Sequence, residues 1–307
     1  MAEENRALSV GATDYHTAGE PFRIVSGGVG PIPGKTVLDK RAWAIENLDG
    51  LRRLLVYEPR GHADMYGCFV TGPDDPEGDL GVLFFHNAGF STACGHGTIA
   101  LATWAIESGI VAPAGPETEM IIDVPSGRLA VVARVEGGRP VSVRFRNVPS
   151  FVHSRGLSVG TRSAGKVVLD VAFGGAFYAS VDARALRLAV EPANLTRFVE
   201  LGREIKDHLN ATAEIAHPLE PRLRDVYGTI FFEDAGGPAS PSATSPSPPT
   251  ARWTARRAAA ARRHAWPSST PTRSWRLGRP STTSASSGCA SRAAWWKRRR
   301  WQASPPW

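Results

Sequence analysis

What most limits the folding of this 307-residue chain is a break near residue 235. Beyond it, residues 236–307 contain one leucine, Leu277, and no isoleucine, valine, phenylalanine, tyrosine or methionine. A segment so short of apolar side chains has no face to bury at helical or strand spacing, and so nothing to offset the entropy of ordering. These residues hold 13 of the 36 Lys+Arg, none of the 29 Asp+Glu and seven of the nine tryptophans. The net charge of +7 therefore averages two unlike parts, one with 23 basic against 29 acidic side chains and one purely basic. Any core has to come from the first 235 residues. The remainder is expected to be a disordered Arg/Ala/Pro/Trp-rich tail. Phosphate contacts and base stacking by such a tail would be a nucleic-acid reading, which weighs less than the appendage reading.

The first 235 residues alternate β-rich and helical runs, the pattern of an α/β (α+β) protein. Gly81-Val-Leu-Phe-Phe-His reads as a buried strand. Glu119–Val124 and Leu129–Val135 read as strands joined through Pro125-Ser-Gly-Arg, and Lys166–Phe173 and Ala176–Val181 flank a Gly174-Gly175 turn. Arg52-Arg-Leu-Leu-Val-Tyr-Glu reads as a further strand, ending before Pro59. Helices are expected over Gly97–Ser108 and Glu191–Leu209.

Several function classes are excluded. Three cysteines (Cys68, Cys94, Cys289) make neither a disulfide framework nor a four-cysteine zinc module. No apolar run approaches the roughly 20 residues of a membrane span, and the acidic N-terminus lacks the apolar core of a signal peptide, so a cytoplasmic location is expected. Gly28-Val-Gly-Pro-Ile-Pro-Gly-Lys-Thr imitates a phosphate loop, but Val29 stands at its first glycine and Pro31 and Pro33 remove amide donors; a hairpin-like loop is expected instead. His86, Cys94 and His96 could gather around a metal, yet they have no partner ligands at recognised spacing, and no metal is expected. Cys68 alternates with apolar residues and reads as a buried small hydrophobe.

The segment His86-Asn-Ala-Gly-Phe-Ser-Thr-Ala-Cys-Gly-His-Gly-Thr-Ile-Ala-Leu carries the chemistry. A strand ends, a turn follows, and Cys94 stands where an apolar helix begins. There the helix dipole favours a thiolate, which should lower the cysteine pKa. The first-turn amides of Gly95, His96 and Gly97 have no carbonyl partner inside the helix and can hold a carboxylate. A thiolate beside such a nest suits removal of a proton from the carbon next to the carboxylate. The bland alternative is a buried cysteine opening a core helix.

These residues resemble the proline racemase family, which includes proline racemase, 4-hydroxyproline epimerase and trans-3-hydroxyproline dehydratase. The resemblance rests on Asp14-Tyr-His-Thr-Ala-Gly-Glu-Pro-Phe-Arg-Ile-Val, Glu58-Pro-Arg-Gly-His-Ala-Asp-Met-Tyr-Gly, Ser91-Thr-Ala-Cys-Gly-His-Gly-Thr-Ile, Asn147-Val-Pro-Ser-Phe-Val, Gly174-Gly-Ala-Phe-Tyr-Ala and His217-Pro with Tyr227-Gly-Thr-Ile. It implies a diaminopimelate-epimerase-like fold of two lobes. A complete N-terminal lobe would span 1–148, a partial second lobe 149–235, and the tail 236–307. It implies further that Cys94 is one of two catalytic residues facing each other across a cleft. The Gly95 and His96 amides would hold the substrate carboxylate, with His96 beside the ring nitrogen and His217 a weaker contact. The resemblance implies a small imino acid as partner and no cofactor; no membrane is expected, nucleic acid is the less favoured reading of the tail, and a homodimer is compatible with the sequence.

The family's second catalytic block, Asp-Arg-Ser-Pro-Cys-Gly-Ser-Gly-Thr or its Thr-for-Cys form in the dehydratases, is absent. Joining the last base of each codon to the first two of the next restores it. Trp253/Thr254 then forces Asp, and the junctions that follow permit Arg, Ser, Pro, Cys, Gly, Ser, Gly and Thr in order. Farther on, Trp295/Trp296 and Trp296/Lys297 force Val and Glu. A frameshift between about residues 234 and 243 is the expectation, leaving the second lobe truncated and this chain inactive. The Arg257/Ala258 junction has the form NGC, which can encode Cys but never Thr, and this points to the two-cysteine racemases and epimerases. The His86–Cys94 segment and Glu20 look closer to the dehydratases. A non-enzymatic lobe with a basic interaction tail is the remaining alternative.

Overall fold

The computed structural model describes residues 9–233 and three short strands beyond them. The chain divides into two units. Among the described residues, the first comprises 9–90, Cys94–Arg146 and two short strands after residue 271; the second comprises Ser91–Ala93, 147–233 and the strand at 244–247.

In chain order the first unit contains β1 (Ser9–Thr17), β2 (Glu20–Gly27), α1 (Val37–Asn47), α2 (Asp49–Val56), β3 (Tyr66–Thr71), β4 (Leu80–His86), β5 (Gly89–Phe90), α3 (Gly95–Glu107), β6 (Glu117–Val124), β7 (Gly127–Glu136) and β8 (Arg139–Arg146). The second contains β9 (Phe151–Thr161), β10 (Gly165–Phe173), β11 (Phe177–Asp182), α4 (Leu195–Thr212), β12 (Ala216–His217), β13 (Glu220–Arg224) and β14 (Val226–Phe232). Three more strands, β15 (Thr244–Ser247), β16 (Thr272–Arg276) and β17 (Arg299–Gln302), pair with β14, β8 and β1 respectively. The rest of 236–307, and with it the expected tail and missing catalytic block, lies outside the described residues.

The first sheet runs in the order β8-β7-β6-β4-β3-β2-β1, with β2/β3 and β4/β6 parallel. Every residue of β4 is buried, as its unbroken apolar run requires of a strand covered on both faces. Alternation along the strands sends Phe69, Leu83 and Phe85 to one face, where they pack with Val37 and Ala44 of α1 and Leu55 and Val56 of α2. It sends Phe22 and Phe84 to the other, edge to face at 6.1 Å. There α3 packs, with every residue from Gly97 to Ile106 buried. So apolar a helix has to lie in the core.

β1 and β2 are joined by the two-residue turn Ala18-Gly19, both at positive φ (53° and 92°). A tight hairpin turn of this kind matches the twist of its strands. It closes on the cross-strand pair Thr17 and Glu20. In the second unit, α4 carries the parallel crossover from β11 to β14. Phe198 packs on Phe231 at 4.7 Å, and the Thr229 hydroxyl donates to Gly202 C=O at 3.1 Å.

Three sequence expectations are corrected. Arg52–Glu58 does not form a strand: Asp49–Val56 is the helix α2, which buries Arg52, Leu55 and Val56 at i, i+3 and i+4. Over so short a run the apolar residues satisfy both periods, and packing on β4 selects the helical one. Gly28–Thr36 is not a hairpin but a strand-to-helix loop. It ends at Thr36, whose side chain accepts from Asp39 N–H (3.1 Å) while Asp39 accepts from Thr36 N–H (2.9 Å). This reciprocal cap starts α1. The third helix begins at Gly95, two residues before the expected start, and the fourth runs from Leu195 after a short 3₁₀ turn.

Candidate active site at the start of the third helix

Cys94 is the N-cap residue of α3, with extended backbone (φ −152°, ψ 109°). The first helical bond runs from Thr98 N–H to Cys94 C=O at 3.0 Å. The amides of Gly95, His96 and Gly97 therefore have no carbonyl partner within the helix. Gly97 N–H donates to the Cys94 sulfur. Gly95 is exposed while Cys94 is 9% exposed, so the helix start meets solvent directly beside a nearly covered sulfur.

The His96 ring turns back toward that sulfur, with Nδ1 at 3.5 Å and Nε2 at 3.9 Å from Sγ. It donates to the Pro21 carbonyl. Phe22 and Tyr66 meet it edge to face at 5.5 and 4.9 Å. The Thr17 hydroxyl donates to His96 C=O at 3.0 Å, fastening the hairpin end to the first turn of α3. The site is thus built from the β1–β2 hairpin end, β3 and the helix start.

Burial governs its protonation. Desolvation drives the Cys94 thiol up to about 12, the Gly97 amide offsets this in part, and the Glu20 carboxylate adds to it. The expectation that the helix start lowers this pKa is overturned: loss of water outweighs the dipole when the sulfur is covered. Burial also holds His96 near 4, so the ring is neutral at physiological pH despite its bond to Pro21. A neutral imidazole with one N–H engaged offers its other nitrogen as an acceptor toward the thiol. Glu20 is raised as well, first by burial and then by Asp64, against His62.

Gly97 fits because it lacks a side chain. A Cβ there would lie against Phe22 Cε2, 2.6 Å from Phe22 Cζ and 3.0 Å from Cys94 Sγ. Gly97→Ala is expected to cost about 1–3 kcal/mol through overpacking and to displace the sulfur, lowering turnover by at least about tenfold. Thermal denaturation read beside turnover checks both effects.

The remaining expected residues belong to other elements. His217 belongs to the second unit, in the β12–β13 hairpin. Its ring packs on Phe173 (4.8 Å) and Phe151 (5.3 Å), and Nδ1 accepts from Leu219 N–H at 3.2 Å. His86 packs on Tyr66 and its Nδ1 accepts from Ala88 N–H at 3.0 Å. Among the described residues no three His, Cys, Asp or Glu side chains gather as metal ligands would, and no helix is long and apolar enough to cross a membrane. Cys68 is fully buried. Thr17, Glu20, Pro21, Phe22 and Tyr66 had no role assigned from the sequence. They lie within the blocks 14–25 and 58–67 that carry the resemblance, and that clustering was the available signal.

Residues 12–246 match the family described as proline racemase. A trans-3-hydroxy-L-proline dehydratase from Burkholderia ambifaria is 45% identical over 236 residues, covering 77% of this chain and 70% of that protein. A 3-hydroxyproline 2-epimerase from Burkholderia multivorans is 44% identical over the same length and coverage. Among solved structures, a hydroxyproline epimerase from Agrobacterium vitis with bound trans-4-hydroxy-L-proline superposes with a TM-score of 0.75 at 31% identity, covering 82% of this chain and 73% of that one.

Proposed function

Because the chain belongs to the proline racemase family, we propose that it acts on trans-3-hydroxy-L-proline, removing the α-proton with Cys94 and releasing the 3-hydroxyl as water. The single observation that carries this reading is the Cys94 sulfur at the N-cap of α3, beside first-turn amides without helical partners. The substrate carboxylate would lie on the Gly95 and His96 N–H groups, where the helix terminus favours negative charge. Those donors also stabilise the charge that builds on the carboxylate as the α-carbon loses its proton. The thiolate sulfur takes the proton. The electron pair left behind becomes the C2–C3 double bond, the C3–O bond breaks, and the hydroxyl takes up a further proton as it leaves as water. The product is a cyclic enamine carboxylate, which becomes the imine in water. His96 would accept the thiol proton or face the ring nitrogen, and His217 would make a lesser contact.

A 2-epimerase reading is favoured by the NGC form of the Arg257/Ala258 junction, which admits a second cysteine in the shifted frame. Inversion needs a proton donor on the opposite face of the substrate, and the chain as encoded lacks that block. Its proposed activity is therefore impaired and confined to the Cys94 face. Incubation of the full chain with trans-3-hydroxy-L-proline in deuterium oxide is expected to give pyrroline carboxylate and deuterium at the α-carbon of recovered substrate. The frame-restored chain should do so faster. Absence of both signals from both chains would end this reading. Sequencing codons 230–260 tests the frameshift itself.

A further inference from the structure

The dehydration proposed above leaves one requirement unmet: hydroxide is a poor leaving group, so the departing oxygen needs a proton. Stereochemistry says where the donor has to stand. In trans-3-hydroxy-L-proline the hydroxyl and the carboxylate lie on opposite faces of the ring. The α-hydrogen is opposite the carboxylate at its own carbon, so it shares a face with the hydroxyl. A base that removes that hydrogen approaches the face from which the oxygen departs, and the acid must sit beside Cys94.

Resting on that reading, we propose that Glu20 is this acid, a catalytic residue that protonates the leaving 3-hydroxyl. Glu20 opens β2 directly after the Ala18-Gly19 turn, cross-strand from Thr17. Thr17 is bonded to His96 C=O at 3.0 Å, and the residue after Glu20, Pro21, receives the His96 ring N–H. Phe22 then packs beneath Gly97 and against the His96 ring. Pro21 and Phe22 thus border the first turn of α3, beside the sulfur, and Glu20, the residue before them on the strand, carries a transferable proton. Its carboxylate is near enough to bear electrostatically on Cys94. The charged and titratable groups facing it are Asp64, His62 and Cys94. Burial and Asp64 keep Glu20 protonated to higher pH than an ordinary glutamate, as a general acid requires. His96 suits the task less, because its ring is neutral near pH 7.

The test compares substrates in the full chain and the frame-restored chain. Glu20→Gln is expected to slow water loss from trans-3-hydroxy-L-proline by about 10²-fold or more. Fluoride release from trans-3-fluoro-L-proline, whose leaving group needs less protonation, and α-deuterium wash-in with L-proline, which has no leaving group, should not fall and should rise where loss of the Glu20 charge eases ionisation of Cys94. The pH profile should separate too: the fall in water loss as Glu20 deprotonates should be absent with the fluoro substrate. A merely structural role would depress all three reactions together, and that result, or water loss unchanged in Glu20→Gln, would overturn the proposal. If the parent chains exchange the α-proton of proline but never release water, the dehydration reading and this assignment both fall while the Cys94 assignment stands. Absence of exchange as well would remove the Cys94 assignment too.

Discussion

Serine in place of Cys94 is expected to lower α-proton exchange by about 10³-fold or more, the scale of a lost acid–base group. A hydroxyl in this position is a far weaker acid than a thiol, so its conjugate base is almost never present. The parent site already works against a high barrier. With burial holding the thiol well above its ordinary range, only a small fraction of sites is ionised near neutral pH. For the proposed thiolate base, exchange should rise with pH through the neutral and mildly alkaline range, about tenfold per unit at first. The variant should keep its fold. The sulfur accepts one bond, from Gly97 N–H, and contacts the His96 ring, and an oxygen there can do both. Deuterium wash-in across pH checks the effect, with thermal denaturation as the folding control. Exchange undiminished in the variant would mean that another group takes the proton.

Arg23→Ala is expected to be the most damaging change away from the site, costing about 3–5 kcal/mol. Arg23 is 4% exposed on β2. It forks onto its cross-strand partner Asp14 at 2.8 and 2.7 Å, and its Nη1 donates to Leu55 C=O (2.7 Å) and Arg60 C=O (2.6 Å). One guanidinium thus ties the hairpin to the end of α2 and the turn after it. Alanine would leave a carboxylate and two carbonyls without their donor and open a void in a packed layer. Lysine keeps the charge but lacks the fork, so Arg23→Lys should recover only part of the loss. Urea unfolding of the parent and both variants checks this order; equal midpoints would show that the network carries no net stability.

The elements legible in the sequence were those with one dominant pattern. The continuous apolar run of β4 and the apolar helix after Cys94 permit only buried positions, and the Pro125-Ser-Gly-Arg turn separates β6 from β7 by local chemistry alone. Leu51, Leu54 and Leu55 satisfy two periods at once, so the pattern over α2 fits a strand as well as a helix. The first helix went unread because Lys40, Arg41 and Glu46 interrupt its apolar stripe; Thr36 with Asp39 three residues on was the cap signal that marked it. At the site, the place of Cys94 was readable because a helix start is a local event. Its protonation was not, because desolvation comes from residues distant in sequence, as do the Phe22 and Tyr66 contacts with His96.

Ser91–Ala93 separates two stretches of the first unit yet is assigned to the second, where the Thr92 hydroxyl donates to Gly175 C=O. The two units are therefore stitched rather than strung, and no single cut in the polypeptide frees one of them whole. Swapping either half with that of a relative would separate the Thr92 hydroxyl from its Gly175 acceptor, two residues before Cys94. A chimera that keeps the second unit intact therefore has to carry Ser91-Thr-Ala together with residues 147 onward, which couples the inheritance of the segment before Cys94 to that of the second unit.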